Sequence, residues 1–288
     1  MKKLSRICFG SEPLGGADWG DVDIGDIKKA IHTALDLGVN FFDTAGVYGL
    51  GLSEERLSKM LGTHRHNVVI ATKGGLSWNL NNVGRASIRK DSSSSAIRKD
   101  VESSLRRLRL ECLPIFYIHW PDQNVPLSET FGELDRMRDE GKIESVGCSN
   151  FSVSQMKVAL SFSKIKYTQL PVNILNGALD ASLVDLCIKN EIGIVAYNVL
   201  ANGLLSGKYH KDSTFPKNDR RSHLPLFRGK MYHEALESVE SLKLRASSCN
   251  MSTSQYSINW ALSQPSVLSA IVGIKTPKQM LDNWSAII

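Results

Sequence analysis

The stretch NFFDTAGVY, Asn40 to Tyr48, runs an apolar pair into a carboxylate and then, across small residues, reaches a tyrosine. It reads as a buried strand that ends in a polar site, with the chemistry placed just past the strand's carboxyl end. Upstream, Ile24 to Leu37 has helical spacing, with Ile27, Ala30, Ile31, Ala34 and Leu35 on one side and Gly38 as its stop. Downstream, Val68 to Thr72 is a continuous apolar strand closed by Lys73 and two glycines.

The same alternation continues along the chain. Strand-length runs at Ile115 to Ile118, Ser145 to Cys148, Tyr167 to Pro171, Ile192 to Ala196 and Leu268 to Val272 are separated by stretches with helical spacing. Those helices are expected at Asp91 to Leu110, Leu127 to Glu140, Ser152 to Leu160, Leu179 to Lys189, Tyr232 to Ala246 and Ser252 to Leu262. With the opening Leu4 to Leu14 segment there are eight strand candidates. Continuous apolar strands imply a sheet covered on both faces. A doubly wound sheet is the competing architecture, but eight strands and no Gly-rich phosphate loop after the first favour an α/β fold of the (β/α)8 TIM barrel type, one domain over residues 1–288. Leu76 to Lys90 and Asn202 to Lys230 read as long irregular loops, the second rich in Lys and Arg after Lys208.

On the barrel reading Asp43, Lys73, His119, Asn150, Gln169, Asn173 and Tyr197 converge on the mouth at the carboxyl ends of the strands. A lysine at the end of a buried strand needs a partner, and Asp43 on the neighbouring strand supplies one. A lysine beside the Tyr48 hydroxyl should favour the phenolate and lower its pKa, which makes the tyrosine a usable proton donor and acceptor. His119 can orient a substrate oxygen. Each residue alone is ordinary, but an ordered set on successive strands is not. The set moves protons and supplies no electrons, and with no flavin, haem or metal pattern visible, hydride from a nicotinamide is the natural complement. Glycoside hydrolysis, the enzymatic rival on a barrel, needs a second carboxylate facing Asp43, and none stands on the neighbouring strand ends.

Composition sets the surroundings. Lys and Arg total 35 against 29 Asp and Glu, a formal +6 spread without a long basic tract, which argues against a nucleic-acid partner and suits phosphate-bearing small molecules. The N-terminal MKKLSRICFG is a poor signal peptide, and no window reaches the ~18 apolar residues of a membrane span. Cys8, Cys112, Cys148, Cys187 and Cys249 are widely spaced and odd in number, so they read as small core residues in a reducing, cytoplasmic setting, with no metal site.

The sequence resembles the aldo-keto reductase family over nearly its whole length: GSEPLGG from Gly10, NFFDTAGVYG, VIATKGG, YIHWPD, VGCSNF, YNVLANGLLSGKY and IVGIKTPKQMLDN. The resemblance implies a (β/α)8 barrel with cofactor and substrate sites at its C-terminal mouth, and reversible NAD(P)H-dependent reduction of an aldehyde or ketone. It places the catalytic tetrad on Asp43, Tyr48, Lys73 and His119. It puts Ser149, Asn150 and Gln169 on the nicotinamide carboxamide and Tyr197 against the nicotinamide face. Leu200, Gly203, Leu204, Ser206 and Lys208 line the pyrophosphate side, and Gly273, Lys275, Thr276, Gln279 and Asn283 the adenosine phosphate end. Lys275, as a point charge suited to a 2'-phosphate, favours NADPH over NADH.

Trp19, Tyr48, Trp78, His119 and Trp120 are the expected substrate wall, suited to a sugar or small aromatic carbonyl compound or its alcohol. The polar Asn79, Asn81, Asn82 and Arg85 add to the sugar option. Two departures stand out: relatives usually continue beyond a point such as Ile288, which implies a shorter or more open pocket here, and Asn198 and Val199 follow Tyr197 where many have Ser or Gly and Pro. A monomer or weak homo-oligomer is expected. The alternative function is a nicotinamide-binding regulatory or sensor subunit with little turnover.

Overall fold

The computed structural model describes residues 2–78 and 88–287. Strands β1 (Ile7–Gly10), β2 (Phe41–Asp43) and β3 (Val69–Gly74) are buried at every position. A short antiparallel pair, β4 (Leu76–Ser77) and β5 (Arg89–Lys90), stands apart from them within the loop expected to be irregular. Then come β6 (Leu113–Ile118), β7 (Ile143–Ser149), β8 (Ile165–Pro171), β9 (Gly193–Tyr197) and β10 (Val267–Gly273). Every neighbouring pair in the order β1, β10, β9, β8, β7, β6, β3, β2 is parallel, and β1 pairs with both β10 and β2. The sheet is therefore a closed eight-stranded barrel, and the doubly wound alternative falls.

Helices pack outside it: α1 (Ile24–Asp36), α2 (Leu52–Leu61), α3 (Ser94–Leu108), α4 (Leu127–Asp139), α5 (Val153–Leu160), α6 (Ala181–Lys189), α7 (Gly229–Ser248), α8 (Thr253–Leu262) and α9 (Pro277–Trp284). Their starts follow local chemistry. Asp23, Ser93 and Asp180 accept from the first backbone N–H groups of α1, α3 and α6, and Ser152 and Ser252 close capping boxes with Gln155 and Gln255. Asp91, the expected start of α3, instead holds Ser93 through its side chain.

The core has two shells because side chains alternate along a strand. Phe42, Ile70, Phe116 and Val146 point outward to the helices. Phe41, Val69, Ala71, Ile115, Tyr117, Tyr167 and Val195 point inward and fill the barrel with Cys8. Of the five cysteines, Cys8, Cys148 and Cys187 are buried, whereas Cys112 and Cys249 are exposed rather than core residues.

Room for the Tyr117 ring comes from Gly147, where an added Cβ would collide with the ring and reach within 2.9 Å of the Tyr167 carbonyl oxygen. Gly147→Ala is expected to overpack the interior and cost about 1–3 kcal/mol. Urea unfolding checks this, and an unchanged midpoint would mean that the ring moves aside freely.

Part of Asn202 to Lys230 is more ordered than its composition suggests. Tyr209, Phe215, Phe227 and Tyr232 stack edge to face or tilted, with ring centroids 5.1–6.0 Å apart, and join Leu204, Leu205 and Val239 in a third apolar cluster. Among the described residues, no helix is long and apolar enough to cross a membrane.

Candidate active site

The alternation that fills the barrel also assembles its mouth. Two residues beyond Phe41 on the inward face stands Asp43, and two beyond Ala71 stands Lys73. Gln169 follows Tyr167, Tyr197 follows Val195, and Ser149 follows Gly147 at the same spacing. His119 lies just past β6, held by a bond from its N–H to the Gly74 carbonyl at 2.9 Å. These side chains line a cavity of about 990 Å³.

Lys73 and Asp43 are nearly inaccessible to solvent, at 3% each. The Lys73 ammonium donates to Asp43 Oδ1 at 2.5 Å, to the Thr44 carbonyl at 2.9 Å and to the Tyr48 hydroxyl at 3.3 Å. Gln169 Nε2 donates to the other Asp43 oxygen at 2.6 Å. Burial pushes the Asp43 carboxyl up, and Lys73 and Gln169 oppose it. The His119 ring stands edge-on to Tyr48, at 5.8 Å between centroids and 84°. Burial, reinforced by Lys73, drives the imidazole well below its usual pKa, so it is neutral. His119 Nδ1 is buried without a partner.

Tyr48 corrects one expectation. Lys73 lies beside its hydroxyl, yet burial, then the carboxylates of Glu12 and Asp43, push the hydroxyl well above its ordinary pKa. In the protein alone the phenol is held protonated. The loop carrying it is braced from behind by Glu54, a fully buried carboxylate that accepts from Thr72 Oγ1 and Arg107 Nε, both at 2.5 Å. From the front, Gly49 (φ +60°) meets Gly15 so closely that a Cβ on Gly49 would collide with the Gly15 carbonyl. Gly15 closes the 3-10 turn Glu12–Gly15, so the two loops are locked together.

Asn150, at φ 64°, turns its amide under the mouth: Nδ2 donates to the His119 carbonyl at 3.1 Å, and Oδ1 accepts from the Tyr197 hydroxyl at 2.6 Å. At the far end Lys208, Arg221 and Lys275 gather around Asp219. Burial and Arg221 together pull both lysines below the usual ammonium value. Lys275 Nζ also donates to the Trp19 carbonyl at 2.9 Å. Cations that depress one another in a partly buried pocket make a site for an anion.

Of the residues expected from sequence, Asp43, Tyr48, Lys73, His119, Ser149, Asn150, Gln169, Tyr197, Leu200, Gly203, Ser206, Lys208, Gly273, Lys275, Gln279, Asn283, Trp19 and Trp120 line the cavity. Leu204 does not, since it is buried in the third apolar cluster. Thr276 spends its hydroxyl as the N-cap of α9. Trp78 is not among the lining residues, and its ring lies beside Gly46. Asn173, at the end of β8, folds its side chain back onto the N–H groups of Leu175 and Asn176. Asn79, Asn81, Asn82 and Arg85 lie outside the described residues. Sequence reading missed Glu12, Asn198, Asn202, Arg220 and Arg221, all on the wall. The last two arrive on a strap, residues 219–222, fixed by a bridge between Trp19 and Asp219 and by the Arg220 N–H bond to the Asp18 carbonyl at 2.8 Å.

The model of the aldo/keto reductase family matches residues 6–287. The chain belongs to the aldo/keto reductase family. Aldo-keto reductase YhdN of Bacillus subtilis is 34% identical over 281 residues, 96% of this chain and 83% of that protein. The NADH-specific methylglyoxal reductase of Escherichia coli is 28% identical over 295 residues, 99% and 90% of the two chains. Among solved structures, a glycerol dehydrogenase of Gluconobacter oxydans superposes with a TM-score of 0.88 at 34% identity, over 99% of this chain and 87% of that one.

Membership makes the protein an oxidoreductase of carbonyl compounds with a nicotinamide dinucleotide cofactor, at the level of the family. The residues present fit that group: a cluster of cations at one end, amide side chains and a tyrosine ring at the other, and a cavity at the upper end of the roughly 300–1,000 Å³ usual for ligand sites. Among the described residues, no group of His, Cys, Asp and Glu is arranged to hold a metal.

Proposed function

We propose that this aldo-keto reductase, as one barrel unit, reduces an aldehyde or ketone with NADPH, and that Tyr48 is the acid. The observation that carries the reading is the placement of one buried ammonium, Lys73, between Asp43 and the Tyr48 hydroxyl, with the neutral His119 ring across from that hydroxyl. The bound nicotinamide supplies the hydride. Tyr48, kept protonated by its surroundings, gives its proton to the carbonyl oxygen. Lys73 then faces the phenolate that remains and stabilises it, and Asp43 keeps the lysine in place. His119 offers a hydrogen bond that orients the carbonyl.

The assay that tests this is consumption of NADPH and of NADH over a panel of aldehydes, ketones and sugars, with the reverse reaction on the alcohols. Turnover supports the reading. Stoichiometric nucleotide binding with no oxidation across the panel would point to a sensor or regulatory subunit instead.

The preference for NADPH rests on Lys208, Arg221 and Lys275, which together offer more charge than a single carboxylate neutralises. Lys275→Met is expected to weaken NADPH binding about tenfold and NADH binding little, since only one of the two carries the extra phosphate. Fluorescence titration measures both, and equal affinities in the parent chain would sink the preference.

A further inference from the structure

One charged pair in the cavity lies outside the chain of contacts that joins Asp43, Lys73 and Tyr48. Glu12, at the start of its 3-10 turn, accepts from Arg220 at 3.1 Å and 3.4 Å, with each side chain a quarter exposed. The Arg220 guanidinium also lies 5.4 Å from the Trp19 ring centre, and its Nε is buried without a partner. Both residues line the cavity that holds Tyr48 and His119.

We infer that Glu12 and Arg220 form a selector for carbonyl substrates bearing hydroxyl groups, short polyhydroxylated aldehydes and ketones, whose hydroxyls bridge the pair. This deepens the reductase reading and rests on it. A carboxylate only accepts and a guanidinium only donates, whereas a hydroxyl does both and can span the two without breaking them apart. An apolar chain entering the same space would desolvate Glu12 and leave the Arg220 Nε–H unmet. A carboxylate substrate is opposed by Glu12 and an amine by Arg220, so the pair rejects either charge. Trp19, whose ring backs the guanidinium, lines the same cavity.

The selector is also close to the chemistry. The Gly15–Gly49 contact ties the turn that begins with Glu12 to the loop that carries Tyr48. After burial, Glu12 is the charge that acts most on the Tyr48 hydroxyl, and Arg220 acts in the opposite sense.

The test compares kcat/KM for glyceraldehyde, its deoxygenated analogue propanal, and the anionic aldehyde glyoxylate. The full chain, Glu12→Gln, Glu12→Leu and the double variant Glu12→Leu/Arg220→Leu are each assayed. The parent is expected to prefer glyceraldehyde to propanal, and the double variant to lose that ratio by about tenfold or more. Glu12→Gln, which keeps the shape and one acceptor, should lose less. Glu12→Leu alone frees the guanidinium and is expected to raise glyoxylate relative to propanal, a shift that loss of a merely structural pair would not produce.

Thermal shift in the presence of NADP+ gives a readout without turnover. At low millimolar concentration, where neither alcohol changes the solvent, glycerol should protect the parent more than 1-propanol does, and the double variant should lose the difference. A parental glyceraldehyde-to-propanal ratio in the double variant, or a parent that turns over propanal at least as well as glyceraldehyde, overturns the selector alone. Absence of any turnover with glycerol protection intact would overturn the reductase reading and leave the selector supported.

Discussion

Tyr48→Phe is expected to slow carbonyl reduction by about 10²–10⁴-fold, the usual worth of a positioned general acid. The replacement removes one hydroxyl, whose bond in the structure is the 3.3 Å contact from Lys73, and leaves the ring edge-on to His119. Nucleotide affinity should therefore hardly change. Stopped-flow reduction at saturating NADPH, beside a fluorescence titration of the nucleotide, separates the two effects, and parental turnover in the variant would remove Tyr48 from the role of acid.

The sign of the pH dependence follows from the same residue. Burial, Glu12 and Asp43 raise the Tyr48 pKa, which keeps the phenol protonated as pH rises. Reduction should stay flat from about pH 6 to about pH 9, while alcohol oxidation, which needs the phenolate, climbs. His119 is pushed well below the usual imidazole value, so it adds no step across that range.

The second large effect is on stability as well as rate. Lys73→Met leaves Asp43 buried with Gln169 as its remaining hydrogen-bond donor, and removing one member of a buried ion pair typically costs about 3–5 kcal/mol. Urea unfolding should show that loss in the single variant. Adding Asp43→Asn removes the stranded charge and should return a good part of the stability, without returning activity. A loss below about 1 kcal/mol in Lys73→Met would mean that Asp43 takes up a proton and needs no cation.

Much of this site could be read from the chain because alternation along a strand is rigid. Once Phe41, Ala71, Tyr167 and Val195 are inside, Asp43, Lys73, Gln169 and Tyr197 must follow two residues later at the mouth. What escaped depends on distance through space. Glu12 and Arg220 are separated by 208 positions, and no periodicity links them. Their meeting depends on the bridge between Trp19 and Asp219 and on the short 3-10 turn Arg220–Ser222 that Asp219 caps, neither of which leaves a periodic pattern. The direction of the Tyr48 pKa escaped for a related reason: the neighbouring lysine is visible in the sequence, but the burial that outweighs it is not. Trp78 was expected at the wall from its place after a strand, and it lies beside Gly46, outside the lining residues.

The contact between Gly15 and Gly49 bears on how the enzyme can change over generations. With no room for a side chain at Gly49, the turn that begins with Glu12 cannot slide relative to the loop of Tyr48. New substrate preferences are then reached by exchanging residues such as Glu12 and Arg220 on a fixed frame. A lineage, or a directed library, can sample those exchanges one at a time while Tyr48 stays where it is.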